Sequence, residues 1–210
     1  MKLSGTPSAS RPDGMRWNHN VHYSRELLAS ISPRAIDALD VGCGEGWLVR
    51  ELRGVVDHVV GIDSDSSSIS IARSYGEVKG ITYLEGDFLA HPFEPASFDY
   101  ITSVASLHHM DEEAGLHRMS ELLRPGGTLG VVGLARSRSA HDFAWDITGI
   151  FATRVHKLIR NHWETPAPKI WPPPHSYREI EKLSRSVLPG CQFRRRAMFR
   201  YVLTWTKAAG

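Results

Sequence analysis

The sequence lacks the features that mark several large classes of protein. It has only two cysteines in 210 residues, Cys43 and Cys191, and their unrelated surroundings indicate neither a disulfide framework nor a zinc site. No apolar run approaches the roughly 18 residues needed to cross a bilayer, and no stretch of signal-peptide character opens the chain. The charge is nearly balanced, with 25 Lys and Arg against 23 Asp and Glu. We therefore expect a cytoplasmic protein, without a membrane or a nucleic acid recruited by overall charge.

The composition is that of an ordinary folded protein, with 41% apolar and 23% charged residues. A chain of this length can bury a single substantial core, so we expect one domain. Residues 1–15 are rich in Ser, Pro and Gly and are predicted to form a disordered tail. The domain is then expected to cover residues 16–207.

Short apolar runs alternate with segments of helical period, which predicts parallel strands joined by helices. The fold class is therefore α/β, with a doubly wound, mostly parallel sheet. The last two strands have no room for a helix between them and are predicted to form an antiparallel hairpin at one edge. Strands are predicted at 36–41, 59–62, 81–84, 98–104, 128–134, 193–197 and 201–206, and helices at 24–31, 47–52, around 69–72, at 116–123 and at 177–187.

One connection is too long to be a simple loop. Residues 136–175 separate the fifth strand from the last helix, and we call this segment the substrate cap. A helix over 140–161 and a Pro-rich piece over 166–174 are predicted within it. Because small-molecule pockets are mostly apolar, its aromatic residues are expected to contact the substrate: Phe143, Trp145, Phe151, Trp163 and Trp171.

A glycine-rich turn follows the first strand, where open parallel sheets bind their ligands. Asp40 lies next to the last residue of that strand, and Gly42, Gly44 and Gly46 allow the backbone to adopt positive φ and to approach a ligand. The third glycine of a dinucleotide-binding motif is replaced by Trp47, which argues against NAD. A phosphate-binding loop of the NTPase type is also absent from the sequence.

Acidic residues follow the next two strands. Asp63, beside Ser64, can accept both hydroxyl protons of a ribose, and Asp87 with Phe88 could hold the edge and face of an adenine. Each acid has an alternative structural role, since Asp63 could cap the following helix and Asp87 could be a turn residue. We also include Val104, at the end of the fourth strand, among the candidate cofactor contacts.

The strongest sequence signal is the combination of five segments: ALDVGCGEGWL (38–48), VVGIDSDSSSISIAR (59–73), YLEGDF (83–88), FDYITSVASLHHM (98–110) and LLRPGGTLGVVGL (122–134). In these segments the chain closely resembles the class I S-adenosylmethionine-dependent methyltransferases, in particular the small-molecule branch called methyltransferase type 11. The resemblance implies a seven-stranded sheet with an antiparallel seventh strand and S-adenosyl-L-methionine as cofactor. It also implies that the glycine loop faces the methionine part, Asp63 the ribose, and Asp87 with Phe88 the adenine.

Two histidines just past the fourth strand are the candidate catalytic residues. His108 and His109 lie where an acceptor would approach the methyl group, and either could serve as a base for a protonated acceptor. His109 could instead only orient the loop. Near the chain start, Tyr23 or His22 could close the site, or the first helix could simply pack its aromatic side chains on the sheet edge.

Three functions remain open from the sequence. Methylation of a small molecule is preferred. RNA methylation is second, because Arg194, Arg195, Arg196 and Arg200 could bind phosphate, although alternation along a strand sends neighbouring side chains to opposite faces. A catalytically silent S-adenosylmethionine-binding protein is third. No metal-ligand cluster is recognisable, and the sequence does not indicate an oligomeric state.

Overall fold

The computed structural model describes residues 19–139, 142 and 172–209. The expected tail at 1–15 and most of the substrate cap, including its predicted helix and its five aromatic residues, lie outside the described residues. Within the described part, the strands are β1 (Asp37–Val41), β2 (His58–Asp63), β3 (Ile81–Glu85), β4 (Phe98–Val104), β5 (Leu123–Leu134), β6 (Gln192–Arg196) and β7 (Arg200–Thr206). The helices are α1 (His19–Leu28), α2 (Trp47–Leu52), α3 (Ser66–Ser74), α4 (Glu112–Leu122) and α5 (Tyr177–Val187), with a 3₁₀ turn at Leu107–His109.

The strands form one sheet in the order β3-β2-β1-β4-β5-β7-β6. The pairs from β3 to β5 are parallel, whereas β7 runs antiparallel to both β5 and β6. The chain order reverses between β1 and β4, which is the switch point where such sheets bind ligands. The predicted fold class and the terminal hairpin are confirmed. No described helix is long and apolar enough to span a membrane.

Both faces of the sheet are covered because its central strands bury side chains in both directions. On one face, Leu39, Ile101 and Val131 pack with α4 and α5 in the largest apolar cluster. On the other face, Val59 and Tyr100 pack with α2 and α3. A smaller cluster holds α1 against β5 and β7.

Several element boundaries differ from the sequence predictions, including the start of α1, at His19 rather than at residue 24, and three of the differences have a local reason. α1 ends at Leu28 rather than at residue 31, where the Ser30 hydroxyl and amide both bond back to the carbonyl of Leu27. α4 begins four residues early, because the side chain of Asp111 caps the amide of Ala114. β5 begins at Leu123, because the backbone pairs with Phe98 before the bulge in β4.

The two ends of the substrate cap are joined at its base. Arg136 and Ser176 form an isolated parallel bridge, and the amide of Arg136 donates to the carbonyl of His175 at 2.9 Å. The Arg136 guanidinium donates to the carbonyl of Pro174 at 2.6 Å. Next to this base, His175 pairs with the buried carboxyl group of Glu112 on α4. Residue 136 and residues 174–176 therefore lie side by side next to the carboxyl end of β5.

Gly133 in β5 supplies a test of this packing. The Tyr201 ring lies against Gly133 so closely that a Cβ at that position would overlap it. We expect Gly133→Ala to lower the free energy of unfolding by about 1–3 kcal/mol, the usual cost of overpacking a core, measured by urea denaturation without ligand. Gly86→Ala is the matched control, because its new Cβ would meet only His91, at 3.8 Å. Equal stability of the two variants would contradict this account of the β5–β7 contact.

Candidate active site

The glycine loop after β1 is held to the end of β2. Gly42, Gly44 and Gly46 adopt φ values of 72°, 54° and 74°, which other residues rarely adopt. The amides of Gly42 and Cys43 both donate to the carbonyl of Ile62, at 2.8 and 3.0 Å. The loop thus turns back over the carboxyl ends of β1 and β2, as the sequence predicts.

The three glycines differ in what surrounds them. A Cβ on Gly42 would overlap the side chain of Ser106, and one on Gly46 would come within 2.5 Å of the Tyr83 ring. A Cβ on Gly44 would have no atom within 4 Å. Gly42 and Gly46 are therefore required by neighbouring protein groups. Gly44 faces open space, where a ligand can approach the backbone.

Asp63 connects the loop to β2. One carboxylate oxygen accepts from the Gly44 amide at 2.7 Å, and the other accepts from the Asp65 amide at 2.9 Å. A carboxylate offers about four acceptor positions, so capacity for two further donors remains. The alternative that Asp63 caps α3 is wrong, because the N-cap is Asp65, whose side chain accepts from the Ser68 amide at 3.0 Å.

Asp40 lies beside Asp63 beneath the loop and is only 2% exposed. Burial, together with the negative charge of Asp63, raises the pKa of Asp40 to about 8. The same burial raises the pKa of the Cys43 thiol, with smaller contributions from both aspartates. Cys43 is therefore protonated and unreactive at neutral pH.

The end of β3 differs in part from the prediction. Asp87 is exposed, and its carboxylate accepts from the Leu89 amide at 2.9 Å, so it is a turn residue with its other oxygen available. The Phe88 ring is 4% exposed and packs in the core. That ring cannot present a face to an adenine, because apolar side chains enclose it. Ser64, beside Asp63, is exposed.

The loop after β4 closes the other side of the switch point. Ala105 adopts a φ of 54°, uncommon for a residue other than glycine, and its amide donates to the carbonyl of Val132 at 2.7 Å. This turn directs Ser106 against Gly42 and leads into the 3₁₀ turn that carries His108 and His109. Backbone strain of this kind is concentrated at functional sites.

The two histidines face different neighbours, although their ring centroids are 4.2 Å apart. His108 is 7% exposed, and burial, with smaller contributions from the charges of His109 and Arg200, lowers its pKa to about 4. His109 is exposed. Partial desolvation of its ring lowers its pKa, and the negative charge of Asp63 acts in the opposite direction by raising it. The charge of Asp63 thus acts on the pKa of His109, and the charge of Arg200 acts on the pKa of His108.

Tyr23 packs against the terminal hairpin. Its hydroxyl donates to the carbonyl of Ala197 in the β6–β7 turn at 3.1 Å, and its ring packs with Val132 and Met198. The His22 ring contacts the Tyr23 ring edge-on at 4.7 Å. Val104 packs against this same cluster. These contacts agree with the alternative in which α1 packs its aromatic side chains on the sheet.

Sequence reasoning missed Arg200 as a separate feature, because it was grouped with three other arginines. The four side chains separate in the fold. Arg194 is exposed and bonds to Gln192, Arg195 pairs with Asp142 and lies over the Tyr177 ring, and Arg196 pairs with Glu26 on α1. Arg200, at the start of β7, is half-buried, and its charge contributes to the lowered pKa of His108. The position of Arg200 at the start of the last strand was the available signal.

Comparisons with known proteins place the chain among the methyltransferases. Residues 38–127 match the family model described as a methyltransferase domain. An uncharacterized methyltransferase of Mycobacterium tuberculosis is 34% identical over 190 residues, covering 90% of this chain and 96% of that protein. A sterol 24-C-methyltransferase of Yarrowia lipolytica is 33% identical over 138 residues, and this match covers 55% of this chain and 36% of that enzyme. Among solved structures, a Haemonchus contortus N-methyltransferase in complex with S-adenosylhomocysteine superposes with a TM-score of 0.59 at 19% identity, covering 85% of this chain and 38% of that one.

The buried His108 predicts a pH-dependent stability. The unfolded chain binds a proton on this histidine near pH 6.5, whereas the folded protein binds it only near pH 4, so acidification favours unfolding. When the pH is lowered from 7.5 to 4.5, the free energy of unfolding of the native protein should fall by about 2–3 kcal/mol more than that of His108→Gln. Urea denaturation at both pH values measures this difference. His109→Gln, whose ring is exposed, should change the pH dependence much less; the opposite order would refute the assigned environments.

Proposed function

Because the chain belongs to the class I S-adenosylmethionine-dependent methyltransferases, we propose that it transfers the methyl group to a small-molecule acceptor. The cofactor is S-adenosyl-L-methionine. The observation that carries the proposal is the convergence of Asp63, the glycine loop and the two histidines at the switch point. The narrower assignment to the type 11 branch stays a prediction.

The residues at the switch point fit this cofactor. Gly44 leaves open space in front of a loop with positive φ, so a ligand can lie against the backbone there. Asp63 keeps acceptor capacity after its two backbone hydrogen bonds, enough for the two ribose hydroxyls. Asp87 offers a further oxygen at the next strand end. We therefore assign the ribose to Asp63, the methionine part to the glycine loop and the adenine edge to Asp87.

Asp40 supports this assignment through charge. A buried acid with a pKa of about 8 is ionised more readily when a positive group binds nearby. The charge of Asp63 favours a cationic ligand over the polyanionic nucleotides, and ionisation of Asp40 on binding would add to that preference.

When bound, the cofactor supplies a methyl carbon activated by a sulfonium leaving group. The protein has to align the acceptor, exclude water and, for a protonated acceptor, remove a proton. We assign the acceptor side to His108, since it is buried and neutral at pH 7. We assign the cofactor side to His109, whose protonation responds to Asp63.

The dispersal of the arginines favours a small acceptor over RNA. Arg195 and Arg196 are engaged by Asp142 and Glu26, and Arg200 is largely desolvated, so the run does not form one basic face. The similarity to a sterol methyltransferase points in the same direction. The joined base of the substrate cap lies beside β5, and we propose that residues 136–175 complete the acceptor pocket within a single domain spanning 16–207. We also propose that the protein acts in the cytoplasm.

Cofactor binding tests the role of Asp63. We expect Asp63→Asn to weaken binding of S-adenosylhomocysteine about 10- to 100-fold, the scale of a lost charge-assisted hydrogen bond. Isothermal titration calorimetry measures the affinity. Asp65→Asn is the matched control, because asparagine caps a helix as well as aspartate does. If Asp63→Asn binds like the native protein, the ribose is not held by this carboxylate.

The acceptor class is tested with cofactor labelled in its methyl group. Incubation with a fractionated metabolite extract and, separately, with total RNA should label the metabolite fraction. His108→Gln should reduce the rate by about 10²–10⁴ if the acceptor carries a proton that must be removed, and His109→Gln should reduce it less. Labelling confined to RNA would contradict the small-molecule proposal, and labelling of neither would favour a catalytically silent protein.

A further inference from the structure

A row of four paired residues crosses the central strands just before the glycine loop. Asp40 of β1 is paired with Gly61 of β2 on one side and with Thr102 of β4 on the other, and Thr102 is paired with Gly130 of β5. Residues paired across neighbouring parallel strands direct their side chains to the same face of the sheet. The carboxyl group of Asp40 and the hydroxyl group of Thr102 therefore lie side by side between two glycines.

The two glycines do not open this row to water, because protein atoms cover both. A Cβ on Gly61 would come within 2.9 Å of the Cys43 sulfur, and a Cβ on Gly130 would come within 2.6 Å of the Tyr100 hydroxyl. The acid and the threonine between the glycines are 2% and 0% exposed. The row thus holds two polar side chains in an enclosed space.

Neither polar group is satisfied by the surrounding protein. Oγ1 of Thr102 has no hydrogen-bond partner among the described residues. Burial and the negative charge of Asp63 act on the Asp40 carboxyl group, and within the same part of the chain neither a hydrogen bond nor a cation does so. Such a group keeps its proton, because the neutral form avoids the cost of burying an unpaired charge. The pKa of Asp40, raised to about 8, agrees with this expectation.

The other titratable side chains that face Asp40 keep their charge near neutral pH. Asp63 is a carboxylate that accepts from two backbone amides. Burial raises the pKa of the remaining three, which are therefore uncharged: Cys43 of the loop, Tyr83 of β3 and Tyr100 of β4. The charge of Arg50 on α2 acts on Cys43 and Tyr83 and is not among the influences on Asp40. A proton exchanged by this cluster near pH 7 is therefore the proton of Asp40.

We propose that Asp40 and Thr102 form a proton-holding pair, which releases the proton of Asp40 to water when a cationic group of the cofactor binds at the glycine loop. The O–H bond of the carboxyl group breaks, its electron pair stays on the oxygen, and the Thr102 hydroxyl donates to the carboxylate that results. Thr102 is thus a positioning residue for the ionised form. This inference rests on the proposed function, because it takes S-adenosyl-L-methionine as the ligand, and it adds that cofactor binding is coupled to pH.

Calorimetry of the full chain counts the proton. We expect S-adenosyl-L-methionine to release about 0.5–1 proton more from the native protein than from Asp40→Asn at pH 7, measured by titration in buffers of different ionisation enthalpy. At this pH His109, whose pKa is lowered, is already largely uncharged. Because the released proton belongs to an acid, binding to the native protein should also tighten as the pH rises from 6 to 8.

Matched ligands identify the cationic group. 5′-Methylthioadenosine has the nucleoside but neither the sulfonium nor the ammonium group, and it should release no proton. S-adenosylhomocysteine keeps the ammonium group and has a neutral sulfur. Release with both S-adenosyl ligands assigns the effect to the ammonium group, whereas release with S-adenosyl-L-methionine alone assigns it to the sulfonium.

Thr102→Val tests the second member of the pair, since it keeps the shape of the side chain and removes the hydroxyl. It should weaken binding of S-adenosyl-L-methionine about 10-fold or more, the scale of a hydrogen bond to a charged group, and leave binding of 5′-methylthioadenosine unchanged. Ser103→Ala is the matched control. Ser103 is also buried with an unpartnered hydroxyl, but it is the next residue of β4 and faces the opposite side of the sheet, so its removal should not affect either ligand.

The failures are distinguishable. If S-adenosyl-L-methionine binds without releasing a proton, or if the release persists in Asp40→Asn, the proton-holding pair is wrong and the proposed function stands. Equal weakening of both ligands by Thr102→Val also overturns the pair, because a structural defect would act on both. If Asp40→Asn does not fold, the comparison of S-adenosyl-L-methionine with 5′-methylthioadenosine on the native protein decides the question. If no S-adenosyl ligand binds, the cofactor assignment itself has failed.

Discussion

The site depends on the bond between the Asp63 carboxylate and the Gly44 amide. This contact joins the end of β2 to the loop after β1, and the carbonyl of Ile62 adds two more bonds to the same loop. The loop is therefore fixed before a ligand arrives. Because little backbone freedom remains to be lost on binding, the cofactor meets a preorganised surface, which lowers the entropic cost of association. Gly44 can form this surface only because glycine tolerates the required φ and has no side chain to fill the space in front of the backbone.

The turn after β4 divides the site into two halves. His108 and His109 are adjacent in sequence, yet His108 is buried and His109 is exposed, and of these two the charge of Asp63 acts on the pKa of His109 alone. Consecutive residues of a 3₁₀ turn project about a third of a turn apart, so a single short element can serve both the cofactor and the acceptor. The strained Ala105 sets the entry angle of this turn and presses Ser106 against Gly42. The turn that carries the two histidines is thus in direct contact with the glycine loop.

Much of the fold was predictable because it repeats a simple pattern. The bounds of α2, β4 and α5 match the sequence predictions, since strong apolar periodicity and clear glycine or serine signals define them. α1 and α4 were placed less well, because their ends depend on individual hydrogen bonds, such as the cap formed by Asp111. For the same reason the N-cap of α3 is Asp65 and not Asp63, which the sequence offered as an alternative cap.

The sequence by itself determined the chemistry available at the strand ends: glycines where the backbone must turn, acids after β2 and β3, and two histidines after β4. Local pattern suffices for these features, because each follows a strand along the chain. Only the tertiary structure decided which of them share a space. It buried the Phe88 ring in the core, packed Tyr23 against the terminal hairpin, and gave the four clustered arginines different partners. Those outcomes depend on contacts between strands distant in sequence, and spacing along the chain carries no information about such contacts.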